Sequence, residues 1–466
     1  MHLPAGRHFA LTWGIPDQYG GMTSALLHRS RSFVRLGGVG VDVLTLDDRA
    51  DYPEVVRRLR ERGELVDGMR LLNLWEWWRV NDPRPGSLNL DRHVFAPLGR
   101  HEGDLQVRDG VPIRRVLRDE HGVAAQIDHL RDDGSLAVSD HRGDDGTRSI
   151  VLCDRDGMPV RSFGGAWAFY RHWLDRLTAK QRSFLIVDSK TTANFVLGYR
   201  RPHVVTVHVV HSSHLQGSAR PIAPLRVSRA RVFENLDALD AVVVLSERQR
   251  GDIEALLGPA DNLTVIPNGR DIDRALAAPL ERDPSRGIML ATLTSRKRVD
   301  HAVRAVTAAS ASTGVTLDVY GDGELRSRIE RAAALSEGAV RLHGHDPDAR
   351  RRLEEASFLL LTSRSEGFPL VLVESMAAGC LPIAYDISYG PADIIRHGRN
   401  GMLVPSGDVE ALCDAILQLQ AMPARRVRRM RRAARRSARR FTDRAVTRRW
   451  NRELRAAWRR KSRPDM

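Results

Sequence analysis

Phe358-Leu359-Leu360-Leu361-Thr362 runs into Ser363-Arg364-Ser365-Glu366-Gly367-Phe368-Pro369, and that into Leu370-Val371-Leu372-Val373-Glu374-Ser375-Met376-Ala377-Ala378-Gly379. The first five residues make an apolar run of strand length, closed by a polar loop. A helix is predicted to begin near Phe368 or Pro369, because proline is tolerated in a helix's first turn, where its missing N–H has no intrahelical partner to lose. Strand, loop and helix in that order put the helix's exposed amides and the positive end of its dipole at the end of a strand, a site suited to a diphosphate. Two carboxylates flank that site: Glu366 at the strand end and Glu374 inside the helix, with seven residues between them. Two isolated glutamates also have a bland reading, a solvated loop charge and a helix-surface charge, which only the surrounding sequence displaces.

The same alternation extends on both sides. Strands are predicted over residues 288–293, 316–320, 340–343 and 381–385 with helical patterns between them, as a doubly wound parallel sheet requires. A polar stretch from Pro267-Asn268-Gly269 through Arg286 reads as a linker. Before it runs another alternating series. It opens with a strand over 8–13, a loop holding Pro16 and Gly20-Gly21, a helix through Phe33, a strand over 41–46 and a helix over 52–64. Further strands are predicted over 184–188, 203–210, 241–245 and 263–266. Between residues 104 and 163 the texture changes to short runs broken by Asp109-Gly110, Asp133-Gly134, Asp145-Gly146 and Asp156-Gly157, a spacing that predicts antiparallel hairpins. The expectation is an N-terminal α/β domain over 1–270 with an antiparallel insertion over 104–163, a second α/β domain over 284–440, and a helical segment over 441–466. Two such domains are expected to leave a cleft, and ligands of open α/β sheets sit beyond the carboxyl ends of the strands.

Composition agrees with more than one domain: the chain has 466 residues, and single hydrophobic cores rarely grow beyond ~250–300. No apolar run approaches the ~20 residues of a membrane-spanning helix. Met1-His2-Leu3-Pro4-Ala5-Gly6 lacks the basic-then-apolar order of a secretory signal, so a soluble, cytoplasmic protein is expected. Cys153, Cys380 and Cys413 have no ligand or disulfide spacing. His208, His211 and His214 recur every third residue, but a β-branched strand over 204–210 turns them to different faces, against a metal site.

The net charge of +15 is concentrated in one place. Residues 425–466 hold 18 arginines and one lysine against Asp443, Glu453 and Asp465, a balance of +16 that leaves −1 for the rest of the chain. A near-neutral body without a basic, aromatic-interleaved motif argues against a nucleic-acid partner. Val427, Met430, Ala434, Ala438 and Phe441 recur every three or four residues, and Val446, Trp450, Leu454 and Trp458 every four, so the arm is predicted to form amphipathic helices. The 425–440 part has little apolar bulk and is expected to face an anionic surface, either a polyphosphate acceptor or the inner membrane leaflet.

Glu366-Gly367-Phe368-Pro369-Leu370 followed by Glu374-Ser375-Met376-Ala377-Ala378-Gly379 resembles the Glu-x7-Glu motif of the retaining family-four glycosyltransferases. Ile266-Pro267-Asn268-Gly269, Gly321-Asp322-Gly323-Glu324 and Gly401-Met402-Leu403-Val404-Pro405 resemble further motifs of that family, so the likeness covers the C-terminal half. Asp386-Ile387-Ser388-Tyr389-Gly390-Pro391 is similar to a segment of the poly(glycerol phosphate) and poly(ribitol phosphate) α-glycosyltransferases of wall teichoic acid. Gly20-Gly21-Met22-Thr23, the antiparallel insertion and His211-Ser212-Ser213-His214 agree with that subgroup.

The resemblance implies a GT-B fold, two Rossmann-like doubly wound domains facing a cleft, with the final helix returning to the first. It implies a metal-independent, retaining hexosyl- or N-acetylhexosaminyltransferase with no cofactor beyond a nucleotide-sugar co-substrate, UDP-linked, and an anionic polymer or glycan acceptor; a homo-oligomer is also expected. Glu374 would bind the ribose, Glu366 would lie beside the transferred sugar, Lys297 would pair with the diphosphate, and His211 would lie near the sugar. Gly367, Phe368, Pro369, Leu370 and Arg296 would line the donor site, and Gly20 and Gly21 would let the backbone approach it. One departure stands out: the family's Arg-Leu-x-x-x-Lys reads Thr292-Leu293-Thr294-Ser295-Arg296-Lys297, leaving Arg296 or Arg298 to replace the first phosphate-binding arginine. Thr292 also raises the alternative of a non-catalytic GT-B partner protein, which Glu366, Glu374 and Lys297 oppose.

Overall fold

The computed structural model describes residues 2–217, 220–221 and 223–462. β1 (Arg7–Leu11), β2 (Val41–Thr45) and β3 (Met69–Asn73) alternate with the helices Gly21–Gly37 and Tyr52–Glu61. Phe9, Ala10, Leu11, Val43 and Leu44 are all buried, so these strands are covered on both faces, as parallel strands between helices must be. β4 (Asp104–Arg108), β5 (Val111–Arg118), β6 (Ala124–Leu130), β7 (Leu136–Arg142), β8 (Arg148–Cys153) and β9 (Pro159–Phe163) form an antiparallel sheet in sequence order. Asp109 and Gly110 both take positive φ, 51° and 80°, the turn whose twist matches the strands it joins.

β10 (Ser183–Val187), β11 (Val204–Val210), β12 (Ala241–Val244) and β13 (Leu263–Val265) belong with the first three strands to a sheet ordered β13-β12-β11-β10-β1-β2-β3. The chain divides into two compact units inside β11, Pro4–Val207 and His208–Arg460. In the first, β1 pairs in parallel with β2 on one side and β10 on the other, so the strand order reverses between β1 and β10. The second holds β14 (Arg286–Leu290), β15 (Thr316–Tyr320), β16 (Val340–Gly344), β17 (Phe358–Leu361), β18 (Leu381–Asp386) and β19 (Met402–Pro405). Their order is β16-β15-β14-β17-β18-β19, and every pair is parallel. The reversal here lies between β14 and β17. At such a switch point adjacent loops diverge to opposite faces and leave a crevice, so the loops after β14 and β17 are the ones placed to hold a ligand.

β3 and β19 are absent from the predicted strands. Both are edge strands with half-exposed residues, so they lack the continuous apolar run that marks the central ones. The stretch expected to be a linker is anchored: Arg282 donates to the carbonyls of Leu353 at 2.6 Å and Ala356 at 2.7 Å. The final helix, Asp443–Lys461, starts beside Arg270, whose amide donates to Phe441 O at 2.9 Å. Near its end Arg460 donates to Asp240 O at 3.0 Å.

Candidate functional site

The loop after β14 carries Lys297 and the loop after β17 carries Glu366, and the fold closes them on each other. Lys297 Nζ lies 2.6 Å from Glu366 Oε1, and Arg296 Nη1 reaches the same oxygen at 3.2 Å while donating to Ser365 O at 3.0 Å. Backbone and side chain clip the two loops together: Arg364 N donates to Arg296 O at 2.8 Å, and Thr362 Oγ1 contacts the carbonyls of Lys297 and Arg298, each at 2.8 Å. Arg298 sits at φ 46°, a left-handed conformation that costs a non-glycine residue roughly 1–2 kcal/mol. Thr362, fully buried, holds the carbonyls on which that turn depends. The turn sends Arg298 away from its neighbours, towards Ser406 Oγ at 3.4 Å, while Arg296 stays with Lys297. Arg296 therefore, and not Arg298, is the second cation that joins Lys297 at Glu366.

Burial by itself opposes ionisation of Glu366. The charge and hydrogen bond of Lys297, with Arg296 and the Ser363 hydroxyl, outweigh it and hold the carboxyl below the usual glutamate range.

Helix Leu370–Ala378 begins where Pro369 ends the loop, and no side chain caps its N-terminus. Seven of its nine residues are buried, so it is packed all round, as a helix apolar on every face must be. Glu374 is one of the seven. Its Oε1 accepts from Arg270 Nε at 2.5 Å and lies 3.2 Å from Arg350 Nε. Phe368 packs its ring against Phe441 at 5.4 Å, so it serves the core as well as the loop.

The carboxyl end of the same helix corrects the reading of residues 425–440 as too poor in apolar bulk for a core. Helix Ala424–Ala438 buries Met430, Ala433, Ala434 and Ala438, small residues that allow close packing. Arg431, also buried, donates to Gly379 O at 2.6 Å and to Ser357 O at 3.0 Å. Arg435 reaches Ala378 O at 3.1 Å, and Arg282 donates to the same carbonyl. The last carbonyls of a helix lack intrahelical partners and carry its negative dipole end, so buried guanidinium groups satisfy both needs.

Gly367 is required by a close approach. A Cβ there would lie 1.9 Å from His211 O, so glycine lets the loop after β11 sit against the Glu366 loop. His211 follows β11 directly. Gln249 Nε2 donates to Ser212 O at 3.1 Å, and Arg229 to Ser212 Oγ at 2.7 Å, which fixes the turn. His214 is buried between Phe233 and Tyr389, with ring centroids 5.4 and 5.8 Å away; burial pushes its imidazole down to about 4, so it is neutral. Tyr389 donates to Asp252 Oδ2 at 2.8 Å, and Arg220 binds both oxygens of that carboxylate. Gly390 lies against Pro369, where a Cβ would come within 2.5 Å of the ring. Residues 211–214, 366–369 and 389–390 thus form one cluster in the second unit.

Gly20 and Gly21 lie in the first unit, at the start of helix Gly21–Gly37 in the connection that follows β1. A Cβ on either would meet nothing within 4 Å, so packing does not demand glycine there and the space beside the helix N-terminus is open. In the same unit Arg29 binds both oxygens of Asp188, just past β10, at 2.9 and 2.6 Å. Sequence reasoning missed Thr362, Arg270 and Arg350, since none stands in a pattern of its own.

The second unit thus brings a cation pair and a carboxylate to a strand-order reversal, with an uncapped helix beside them and a second carboxylate on that helix, in a GT-B-like α/β fold. Two glycosyltransferase family models match separate parts of the chain. Residues 136–274 match the family model Glycosyltransferase Family 4, and residues 285–421 match Glycosyl transferases group 1. The chain is 22% identical to the poly(ribitol-phosphate) alpha-N-acetylglucosaminyltransferase of Staphylococcus aureus, over 86% of this chain and 90% of that protein. It is 36% identical to an exopolysaccharide phosphotransferase of Streptomyces coelicolor, but over 50% of this chain and 24% of that protein's length. The crystal structure of TarM superposes with a TM-score of 0.72 at 20% identity, covering 97% of this chain and 99% of the other, a likeness of fold. Among the described residues no helix is long and apolar enough to cross a membrane.

Proposed function

We propose that this chain is a metal-independent retaining glycosyltransferase that moves a hexose or N-acetylhexosamine from a UDP-sugar to a polyol-phosphate or related glycan acceptor. The observation that carries this reading is the convergence of Lys297 and Arg296 on Glu366 at the switch point of the second unit's sheet. The second unit takes the donor. Glu374 receives the ribose, and Arg270 and Arg350 hold its carboxylate in place. The diphosphate lies against the uncapped start of helix Leu370–Ala378 and draws Lys297 and Arg296 onto its oxygens. As the bond from the anomeric carbon to the diphosphate breaks, those cations stabilise the charge arriving on the leaving oxygen, and Glu366 stabilises the positive charge left on the sugar. The acceptor oxygen forms its bond on the same face, and its proton leaves with the diphosphate. His211, held beside Gly367, lines the sugar pocket.

The polyol-phosphate acceptor is supported by the S. aureus relative matched over most of both chains. A non-catalytic role would follow from Thr292 only if the second cation were missing, and Arg296 supplies it. The test is transfer from a panel of UDP-sugars to a short polyol-phosphate acceptor, with the product anomer read by proton coupling. The expected product keeps the donor's configuration, and chelator leaves the rate unchanged. An inverted product, or a rate abolished by chelator and restored by magnesium, would overturn the reading.

A further inference from the structure

Helix Ala424–Ala438 has two unlike faces. Its apolar side is spent on packing, with Arg431 and Arg435 turned inward to carbonyls. Arg425, Arg426, Arg428, Arg429, Arg432 and Arg436 are exposed on the rest of its surface. Among the described residues only Arg428 of these six meets a carboxylate, that of Glu281. Arg399, on the turn before β19, joins Arg426, Arg429 and Arg436 around an open concavity of about 410 Å³ that also touches Met430 and Ala433. A second, of about 380 Å³, is bounded wholly by arginines and shares Arg429 and Arg436 with the first. The two make one basic trough along the helix.

Like charges three and four residues apart on a helix repel, so the trough carries a local cost that a bound polyanion relieves. Arg425, Arg429, Arg432 and Arg436 follow one another at about one turn, ~4.5–6 Å each along the axis. A linear polymer with one phosphodiester per short polyol unit repeats its charge on that scale. A membrane-surface helix needs an apolar face to bury in lipid, and this helix has already buried its own in the protein.

We propose that this trough binds a linear phosphodiester polymer, away from the Lys297–Glu366 cluster, and holds successive acceptor units near the enzyme. Identifying that polymer as the acceptor rests on the function proposed above, whereas the binding itself does not.

The experiment compares the full chain with the quadruple variant Arg426→Gln, Arg429→Gln, Arg432→Gln, Arg436→Gln, after circular dichroism has shown equal folding. Fluorescence anisotropy with labelled linear polyphosphate should show at least about a tenfold loss of affinity and a shallower dependence on salt, as fewer counterions are released. Transfer to a single-unit polyol phosphate should be unchanged, while KM for the long polymer rises by about the same factor. Unchanged polyphosphate affinity overturns the proposal. So does wild-type binding to phosphatidylglycerol vesicles without binding to polyphosphate, which makes the trough a lipid contact. If no acceptor of any length is glycosylated, the proposed function fails, and the polyphosphate titration still decides the trough.

Discussion

Glu366 and Glu374 look alike in the abstract. Both side chains are nearly buried, at 12% and 9% exposure, and both are bracketed by two cations. Their cations differ in origin. Those of Glu366 are adjacent residues of one loop, so a movement of that loop alone would release both. Those of Glu374 come from separate segments, and Arg270 is further tied by its amide to Phe441 and by a strand-like bridge to Thr442. One carboxylate sits in an exchangeable cluster and the other in the frame. The contrast teaches that two carboxylates alike in burial and ion pairing differ in how their partners are connected, and on the proposed function that difference separates a reacting group from a binding one.

The largest expected effects break that contrast on its reactive side. Glu366→Ala and Lys297→Ala should each lower transfer by at least about a hundredfold, the scale of losing one preorganised electrostatic group. Donor binding, followed by titration with UDP-sugar, should survive better in the glutamate variant than in the lysine variant. Turnover like that of the wild type in either would merge the two carboxylates into one structural class.

On the framing side a smaller effect of a different kind is expected. Glu374→Ala should raise KM for the donor by about tenfold, the worth of one charge-assisted hydrogen bond, and leave kcat within a few-fold. Steady-state kinetics in both substrates separates the two constants, and a loss confined to kcat would place Glu374 with the reacting groups.

The finest expected difference is in pH dependence. The folded pKa of Glu366 is depressed, so its pairing contributes stability fully above the unfolded carboxyl's pKa and loses it as pH falls through the folded value. Wild-type enzyme should keep Glu366 ionised below the usual glutamate range. In Lys297→Ala burial is opposed only by Arg296 and Ser363, so the acid limb of the residual kcat/KM profile should move to higher pH. An unmoved limb would mean that Lys297 is not what holds the proton off Glu366.

Much of the fold was legible because its signals are local. Central strands such as β17, and the Asp-Gly turns of the antiparallel sheet, announce themselves through apolar runs and turn chemistry over a few residues. β3 and β19 did not, since an edge strand is half-wet and its composition resembles a loop. At the site, Glu366, Lys297 and Glu374 stand in recognisable motifs, but Arg270 and Arg350 are ordinary arginines in an arginine-rich chain, and only their convergence on one carboxylate singles them out. Arg431 and Arg435 were hidden for the same reason, since the sequence does not distinguish a guanidinium that caps a helix's carbonyls from one that faces water.

By itself, then, the sequence determined two alternating α/β series and an antiparallel segment within the first, and its resemblance to a family singled out two glutamates and a lysine. The series and the segment are properties of residue type, period and spacing, which a linear string carries in full. The tertiary structure decided which cation joins Lys297 at Glu366, which arginines serve the core and which the surface, and why residue 367 has to be glycine. Each of these depends on a distance between residues far apart in the chain. Arg296 reaches Glu366, and His211 O leaves no room for a Cβ at residue 367, only because β14, β17 and β11 bring their loops to one place.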